Sequence, residues 1–236
     1  MRYVRPLMVF FCLAVTASSQ TFTITDLGVL SGDSGSQGLA VNSAGQVAGC
    51  SDTSQVLSDL CVGFLPGHAF LWTSSLGMQD LGTLPGGSIS YANDVNDVGQ
   101  VVGASDPGLG NAFLWTSTAG MVPLPSLPGG DQSSANGINS HGETTGFSSA
   151  APSGAIHVVV WTADGKIHDL GTGPNGADAY GLHISNKGQV VGNVLNPLNQ
   201  GFVWTKASGA RFLPKLPGGT QNPAIGLNSE GLCRVF

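Results

Sequence analysis

Apolar positions fall in short runs of four or five along this chain, and the runs return in a fixed order. One run, Ala112-Phe113-Leu114-Trp115, is apolar at every position, so it shows no alternation between a buried and a solvated face. A short strand of that kind is covered by protein on both sides, which places it in the middle of a layered β assembly. It is preceded by Ala92-Asn93-Asp94-Val95-Asn96 and Gln100-Val101-Val102-Gly103 and followed by Met121 to Leu124. The last of these contains Pro123, and Pro214 falls in its copy in a later unit. Proline donates no ladder hydrogen bond, so the fourth run predicts an edge strand. Between the first two runs stands Asn96-Asp97-Val98-Gly99, repeated as Asn42 to Gly45, Asn139 to Gly142, Ser185 to Gly188 and Asn228 to Gly231. Asn or Ser first and Gly fourth predicts a type I turn closing a hairpin, with Gly45, Gly99, Gly142 and Gly188 supplying a positive φ.

The four tryptophans, Trp72, Trp115, Trp161 and Trp204, are spaced by 43, 46 and 43 residues. Four strands of about five residues with four connections of similar length take roughly 40 residues, the size of one repeating four-stranded unit. Leu84-Pro85-Gly86-Gly87 and its copies carry the chain from each unit to the next. The pattern predicts an all-β repeat array, β-propeller-like, with a β-solenoid or an open or incomplete propeller as alternatives built on the same unit. The Trp of each third strand is expected to supply much of the contact between units. Residues 20–236 then form a single β-repeat domain of four full units, the first longer than the rest, and a partial fifth. After Gly231 the chain reads Leu232-Cys233-Arg234-Val235-Phe236 where Gln-Val-Val-Gly is due. Two readings follow: a truncation or frameshift relative to a longer array, or a five-bladed ring closed by pairing Phe22 to Leu27 with the C-terminal strands. A smaller departure, Glu143-Thr144-Thr145-Gly146, is expected to weaken the burial of its strand.

Residues 1–19 change the picture of location. Arg2 and Arg5 precede an apolar run from Leu7 to Val15 and then small residues, the layout of a secretory signal and too short to span a bilayer. In an exported protein Cys50 and Cys61, inside the longer first unit, are candidates for a disulfide. The other Lys and Arg residues all lie after Gly165. So long a stretch without positive charge cannot neutralise a row of phosphates, which argues against nucleic acid, and after signal cleavage no membrane insertion is expected.

The units Ala-x-x-Val-Asn-x-x-Gly-Gln-Val-Val-Gly (Ala92 to Gly103), His68-Ala69-Phe70-Leu71-Trp72 and Gly77-Met78-Gln79-Asp80-Leu81-Gly82-Thr83-Leu84-Pro85-Gly86-Gly87 resemble the HAF-type extracellular repeat family of bacteria. The likeness runs from about Thr23 to Gly231. It implies a secreted, extracellular or cell-surface bacterial protein, and it brings no catalytic residues.

Candidate chemistry is sparse. His68 and His157 recur four residues before a Trp, where other copies have Asn111 and Gln200, and this pattern predicts a polar cap to the strand backbone. His141, His168 and His183 show no partner spacing. Asp94 to Gly99 resembles a calcium loop only until Val98 breaks the alternation of oxygen ligands, so a hairpin turn is preferred. Asp26, Asp80 and Asp169 precede Leu-Gly and read as strand-end caps, with Pro123 and Leu213 in the corresponding places elsewhere. No catalytic, cofactor or metal residues are assigned. The expected function is a non-enzymatic binding or structural scaffold that presents the loops Ser51 to Gly67, Ser105 to Asn111 and Phe147 to Ile156 to an unidentified protein or glycan. The alternative is a polysaccharide lyase or glycoside hydrolase, which would bring two or more of Asp80, Asp94, His68 and His183 together in one pocket.

Overall fold

The computed structural model describes residues 22–53, 67–106, 110–195, 199–215, 217–219, 221–228 and 233–235. Residues 1–19, expected to be a signal, and Cys61 lie outside them; Cys50, which is described, is disulfide-bonded. The described residues form four antiparallel four-stranded sheets and a two-stranded one, with a single short 3₁₀ turn among them at Pro174–Gly176. Sheet one holds β1 (Gly35–Val41), β2 (Val47–Asp52), β3 (Gly67–Thr73) and β4 (Gly77–Asp80). Sheet two holds β5 (Ser90–Val95), β6 (Val101–Ser105), β7 (Asn111–Thr116) and β8 (Gly120–Pro123). Sheet three holds β9 (Ser133–Ile138), β10 (Thr144–Ala150), β11 (Ala155–Trp161) and β12 (Ile167–Gly171). Sheet four holds β13 (Ala179–Ile184), β14 (Val190–Val194), β15 (Gln200–Thr205) and β16 (Gly209–Phe212), and β17 (Ala224–Leu227) pairs with β18 (Cys233–Val235).

Within each full sheet the strands are ordered as in sequence, so Pro123 lies in an edge strand, where its missing N–H costs no ladder bond, whereas Pro214, expected in the corresponding strand, lies beyond its end at Phe212. Phe22 to Leu27 join no sheet, which corrects the expectation of an N-terminal strand. Sheet one is bounded by β1 and β4, and the two-stranded ladder β17–β18 packs on sheet four.

Each first strand has one residue out of register: Leu39, Asn93, Asn136, Leu182 and Ile225. The bulge pushes the backbone toward the second strand at one place. A Cβ on Gly49, Gly103, Gly146 or Gly192 would overlap the carbonyl oxygen of Gln37, Tyr91, Ser134 or Tyr180. Glycine therefore ends the second run in each of the four full units because a backbone oxygen occupies the space of a side chain. At the hairpins Gly45, Gly99, Gly142 and Gly188 have φ of +74°, +78°, +79° and +70°.

The hydrophobic core lies between sheets. Val101, Phe113 and the half-buried Trp115 pack toward Leu71 of sheet one and Leu81 and Leu84 of the crossing that follows it. Their neighbours Val102, Ala112 and Leu114 pack toward Ile138, Val159 and Trp161 of sheet three. The third strands are thus covered on both faces, which is why the run shows no alternation. Val158, Val160, Ile184, Val190, Phe202 and Trp204 repeat the arrangement between sheets three and four. Each first strand also lies against the first three strands of the preceding sheet. Glu143-Thr144-Thr145 does not weaken its strand: Thr144 and Thr145 are buried, and the Thr145 hydroxyl donates to the Val159 carbonyl at 3.0 Å. Threonine has valine's shape, and its extra polar atom is satisfied.

A line of buried polar side chains ties consecutive sheets. Asn42 Nδ2 donates to the Asn96 carbonyl at 2.9 Å, Asn96 to the Asn139 carbonyl at 3.0 Å, and Asn139 to the Ser185 carbonyl at 3.0 Å. The second Nδ2 proton goes to Gln46, Gln100 or Glu143 of the same turn. Each Oδ1 accepts two backbone N–H groups of that turn, for Asn96 those of Val98 and Gln100. The amide is fully used. Ser185 accepts from Lys187 and Gln189 at 3.3 and 3.2 Å.

Replacing Asn96 by Ala is expected to cost about 2–4 kcal/mol, because it leaves buried partners unpaired. Asn96→Ser should cost less, since serine serves this turn at residue 185. Urea unfolding of both variants measures the difference, and equal costs would contradict it. Gly103→Ala is expected to destabilise by at least about 2 kcal/mol through the clash with Tyr91, readable as a lowered unfolding midpoint.

Candidate functional site

Strand direction sorts the connections to two ends of the sheets. At one end lie the connections between second and third strands, together with the crossings to the next sheet. At the other lie the Asn-x-x-Gly hairpins and the turns after each third strand. The expected variable loops belong to the first end and are shorter than expected. Ser51, Asp52 and Ser105 lie in β2 and β6, and Phe147 to Ala150 and Ala155 to Ile156 lie in β10 and β11. Residues 54–66 and 107–109 fall outside the described residues.

A cleft of about 960 Å³ opens at the opposite end, between sheets three and four. Its floor is apolar, with Val160, Leu170, Ile184 and the half-buried ring of Trp204. Its rim carries His141, Glu143, Asp164, His168, Asp169 and Lys206, with Lys187 beside them. The acids are engaged by the protein. Glu143 accepts from Asn139 at 2.7 Å, and Asp164 from Lys166 Nζ at 2.7 Å and from the Thr162 hydroxyl. Those donors hold the exposed Asp164 carboxyl down at about 2. Asp169 is held by His157 and by the Gly171 N–H. Among the described residues Lys206 forms no ion pair, and the rings of His141 and His168 make no hydrogen bond. Nor does the Trp204 indole N–H, whereas the fully buried Trp161 donates its own to the Pro125 carbonyl at 2.8 Å. The corresponding positions between sheets one and two, Ala44, Gln79, Val98 and Ser117, are uncharged. The walls of this cleft leave cationic and donor groups free to meet a ligand.

The histidines expected as backbone caps do something else. His68 Nδ1 lies 3.0 and 2.9 Å from the two carboxylate oxygens of Asp80, and His157 Nδ1 lies 2.9 Å from both oxygens of Asp169. Each aspartate also caps the next turn, accepting from Gly82 N or Gly171 N at 2.7 Å, as Asp26 does from Gly28. The cross-strand register puts Phe212, and not Leu213, in the place of Asp80. Where the carboxylate is replaced by Pro123 or Phe212, the histidine is replaced by Asn111 or Gln200. That co-occurrence was legible in the repeats, since His and Asp enter and leave together. His68 and Asp80 are both exposed and do not line the cleft.

Asp94 is not a cation ligand in this arrangement. Its carboxylate accepts the Val95 N–H at 2.8 Å and the Ile138 N–H of the next sheet at 2.9 Å. Asn96 belongs to the inter-sheet line, and Asp97 accepts from Ser43 of the previous sheet at 2.9 Å. The three oxygens point in different directions. Among the described residues no group of three or more His, Cys, Asp and Glu is placed to hold a metal ion, and no helix is long and apolar enough to cross a membrane. Burial pushes the Asp94 carboxyl above its ordinary value, against the opposing pull of those two N–H groups and of His183. A search against models of known protein families and against curated proteins gave no match.

A raised carboxyl favours the folded state while protonated, and that contribution is lost as pH rises through the folded-state value. The stability of the wild type relative to Asp94→Asn is accordingly expected to fall as pH rises from about 3 to about 7, measured by urea unfolding. A difference constant with pH would contradict it.

Proposed function

We propose that the chain is an exported, non-enzymatic repeat scaffold of the HAF type, with its sheets fanned as in a β-propeller. It holds an acidic saccharide in the cleft between sheets three and four. The observation that carries the binding reading is the state of the charges in that cleft. Each acid there is occupied by a protein donor, while Lys206, His141, His168 and the Trp204 indole are open to the cleft. A carboxylate or sulfate on a sugar would meet charge-assisted donors, and its apolar ring face would lie on Trp204. The fan arrangement is supported by the packing of each first strand on the sheet before it. A binding role is favoured over catalysis because Glu143, Asp164 and Asp169 are each held in a protein contact and none is presented as a free acid or base.

Screening the protein against acidic and neutral glycans is expected to select acidic ones. Lys206→Glu, at an exposed position, should weaken binding at least about tenfold without changing the unfolding midpoint. Equal binding of both proteins would overturn the assignment of the cleft. Release of shorter saccharides from a bound polysaccharide would favour the hydrolase or lyase reading instead.

A further inference from the structure

Three places in the chain set an Asn or Asp side chain directly before a glycine: Asn136-Gly137, Asp164-Gly165 and Asn175-Gly176. Glycine has no Cβ to block the approach, so its backbone nitrogen can reach the preceding side-chain carbonyl carbon and close a five-membered ring. The fold treats the three pairs differently.

Asn136 is half-buried in β9, and its amide is engaged. Its Nδ2 donates to the Gly181 carbonyl at 2.8 Å, and its Oδ1 accepts from the Ser134 hydroxyl at 3.0 Å and from Asn93 at 3.3 Å. Gly137 is buried opposite Thr145, and a Cβ on it would meet the Leu182 carbonyl oxygen at 2.7 Å. The amide and the glycine nitrogen have no room to turn toward each other. Asp164 is exposed but pinned, since its carboxylate accepts from Lys166 Nζ at 2.7 Å and from the Thr162 hydroxyl. A carboxylate anion is also a poor electrophile.

Asn175 is under neither restraint. It and Gly176 are exposed, in the 3₁₀ turn of the crossing between sheets three and four, and among the described residues the Asn175 side chain makes no hydrogen bond. Its φ is +58°, and it stands where other units have Gly86, Gly129 and Gly218 at +84°, +70° and +81°. Asparagine enters that left-handed region more readily than most side chains, which is how it takes a glycine's place. The Gly176 N–H donates to the Gly173 carbonyl at 3.2 Å, a surface bond that water can replace.

We propose that Asn175 is a site of spontaneous deamidation. The Gly176 nitrogen gives its proton to hydroxide and attacks Cγ of Asn175. The Cγ–Nδ2 bond breaks, and the nitrogen leaves as ammonia after taking a proton from water. Water then opens the succinimide at one of its two carbonyls, giving aspartate or, where the backbone bond is cut, isoaspartate. One amide and one water are consumed, and one acid and one ammonia are formed. Isoaspartate routes the main chain through Cγ and adds a carbon between residues 175 and 176. The bonds from Gly176 N to the Gly173 carbonyl and from Ala177 N to the Pro174 carbonyl close rings of fixed length, so the longer chain loosens this crossing.

Incubating the folded protein at mildly alkaline pH and mapping its peptides by mass spectrometry tests this. Aspartate and isoaspartate are expected at residue 175 at least about tenfold faster than at residue 136 or isoaspartate at residue 164. In urea, where the fold no longer separates them, residues 136 and 175 should be converted at similar rates. Asn175→Gly, which installs the residue of the other units, should remove the signal. Its unfolding midpoint should hold through an incubation that lowers that of the wild type. Intact Asn175, or equal conversion of residues 136 and 175 in the folded protein, overturns the proposal. A residue 136 that stays slow in urea overturns the protection by the fold, and an unchanged midpoint in the converted protein overturns the loosening of the crossing.

Discussion

The hydrogen bond from one turn asparagine to the backbone carbonyl of the next unit's turn is the contact on which the array depends. Apolar packing alone would let adjacent sheets slide, because Val, Leu and Ile fit one another in several registers. A buried amide does not allow this, since its two protons and two lone pairs each have one partner in one geometry and would be left unpaired in any other. Asn42, Asn96 and Asn139 bind their own turn with three of these bonds and the next turn with the fourth. The same side chain therefore shapes the hairpin and sets the spacing of the sheets. Glu143 shows what is required of its helper: a single side-chain oxygen at the place of Gln46 and Gln100, with no need for the rest of the amide.

A second recurring contact shows how the units tolerate change. At the crossings the N–H of Leu30, Leu84 and Leu127 donates to the buried hydroxyl of Ser51, Ser105 and Ser148, at 2.9, 3.0 and 3.0 Å. In the fourth unit the pair becomes Gly173 and Val194. The Val194 methyl groups fill the space where a Cβ on residue 173 would lie, and the Gly173 N–H turns to the Ala177 carbonyl at 2.7 Å. A large residue opposite a hydroxyl has been exchanged for a small one opposite a methyl. Volume is conserved, and the orphaned donor finds a backbone acceptor in the 3₁₀ turn that follows.

Binding surfaces on arrays usually sit on the variable loops, and the length differences here are indeed at the end that carries the second-to-third connections. The described cleft is at the other end, among turns of nearly constant length. Its distinctiveness comes from substitution at fixed positions: Lys187 where another unit has Val98, Lys206 where it has Ser117, and His168 where another has Gln79. A regular frame makes such a change effective, because a side chain replaced on a rigid turn arrives where the geometry already points. Sheets three and four also carry most of the chain's positive charge.

The unit itself was legible in the residues. A run with no alternation meant a strand covered on both sides, Pro123 meant an edge, and Asn-x-x-Gly meant a tight hairpin, because each of these follows from local backbone chemistry that tertiary contacts do not override. The pairing of His68 with Asp80 and His157 with Asp169 was also written in the repeats, as two columns that change together, although neither column alone indicates it. The sequence could not say that Asn42 and Asn96 touch, that the end of the second run is glycine because a carbonyl crowds it, or that Thr144 and Thr145 are as buried as valines. Those facts depend on which residues meet across 40 or more positions of chain, and only the stacking of the sheets decides them. It decided the site in the same way: the residues of the cleft come from two successive units, and no property of either unit alone places Lys206 opposite His141.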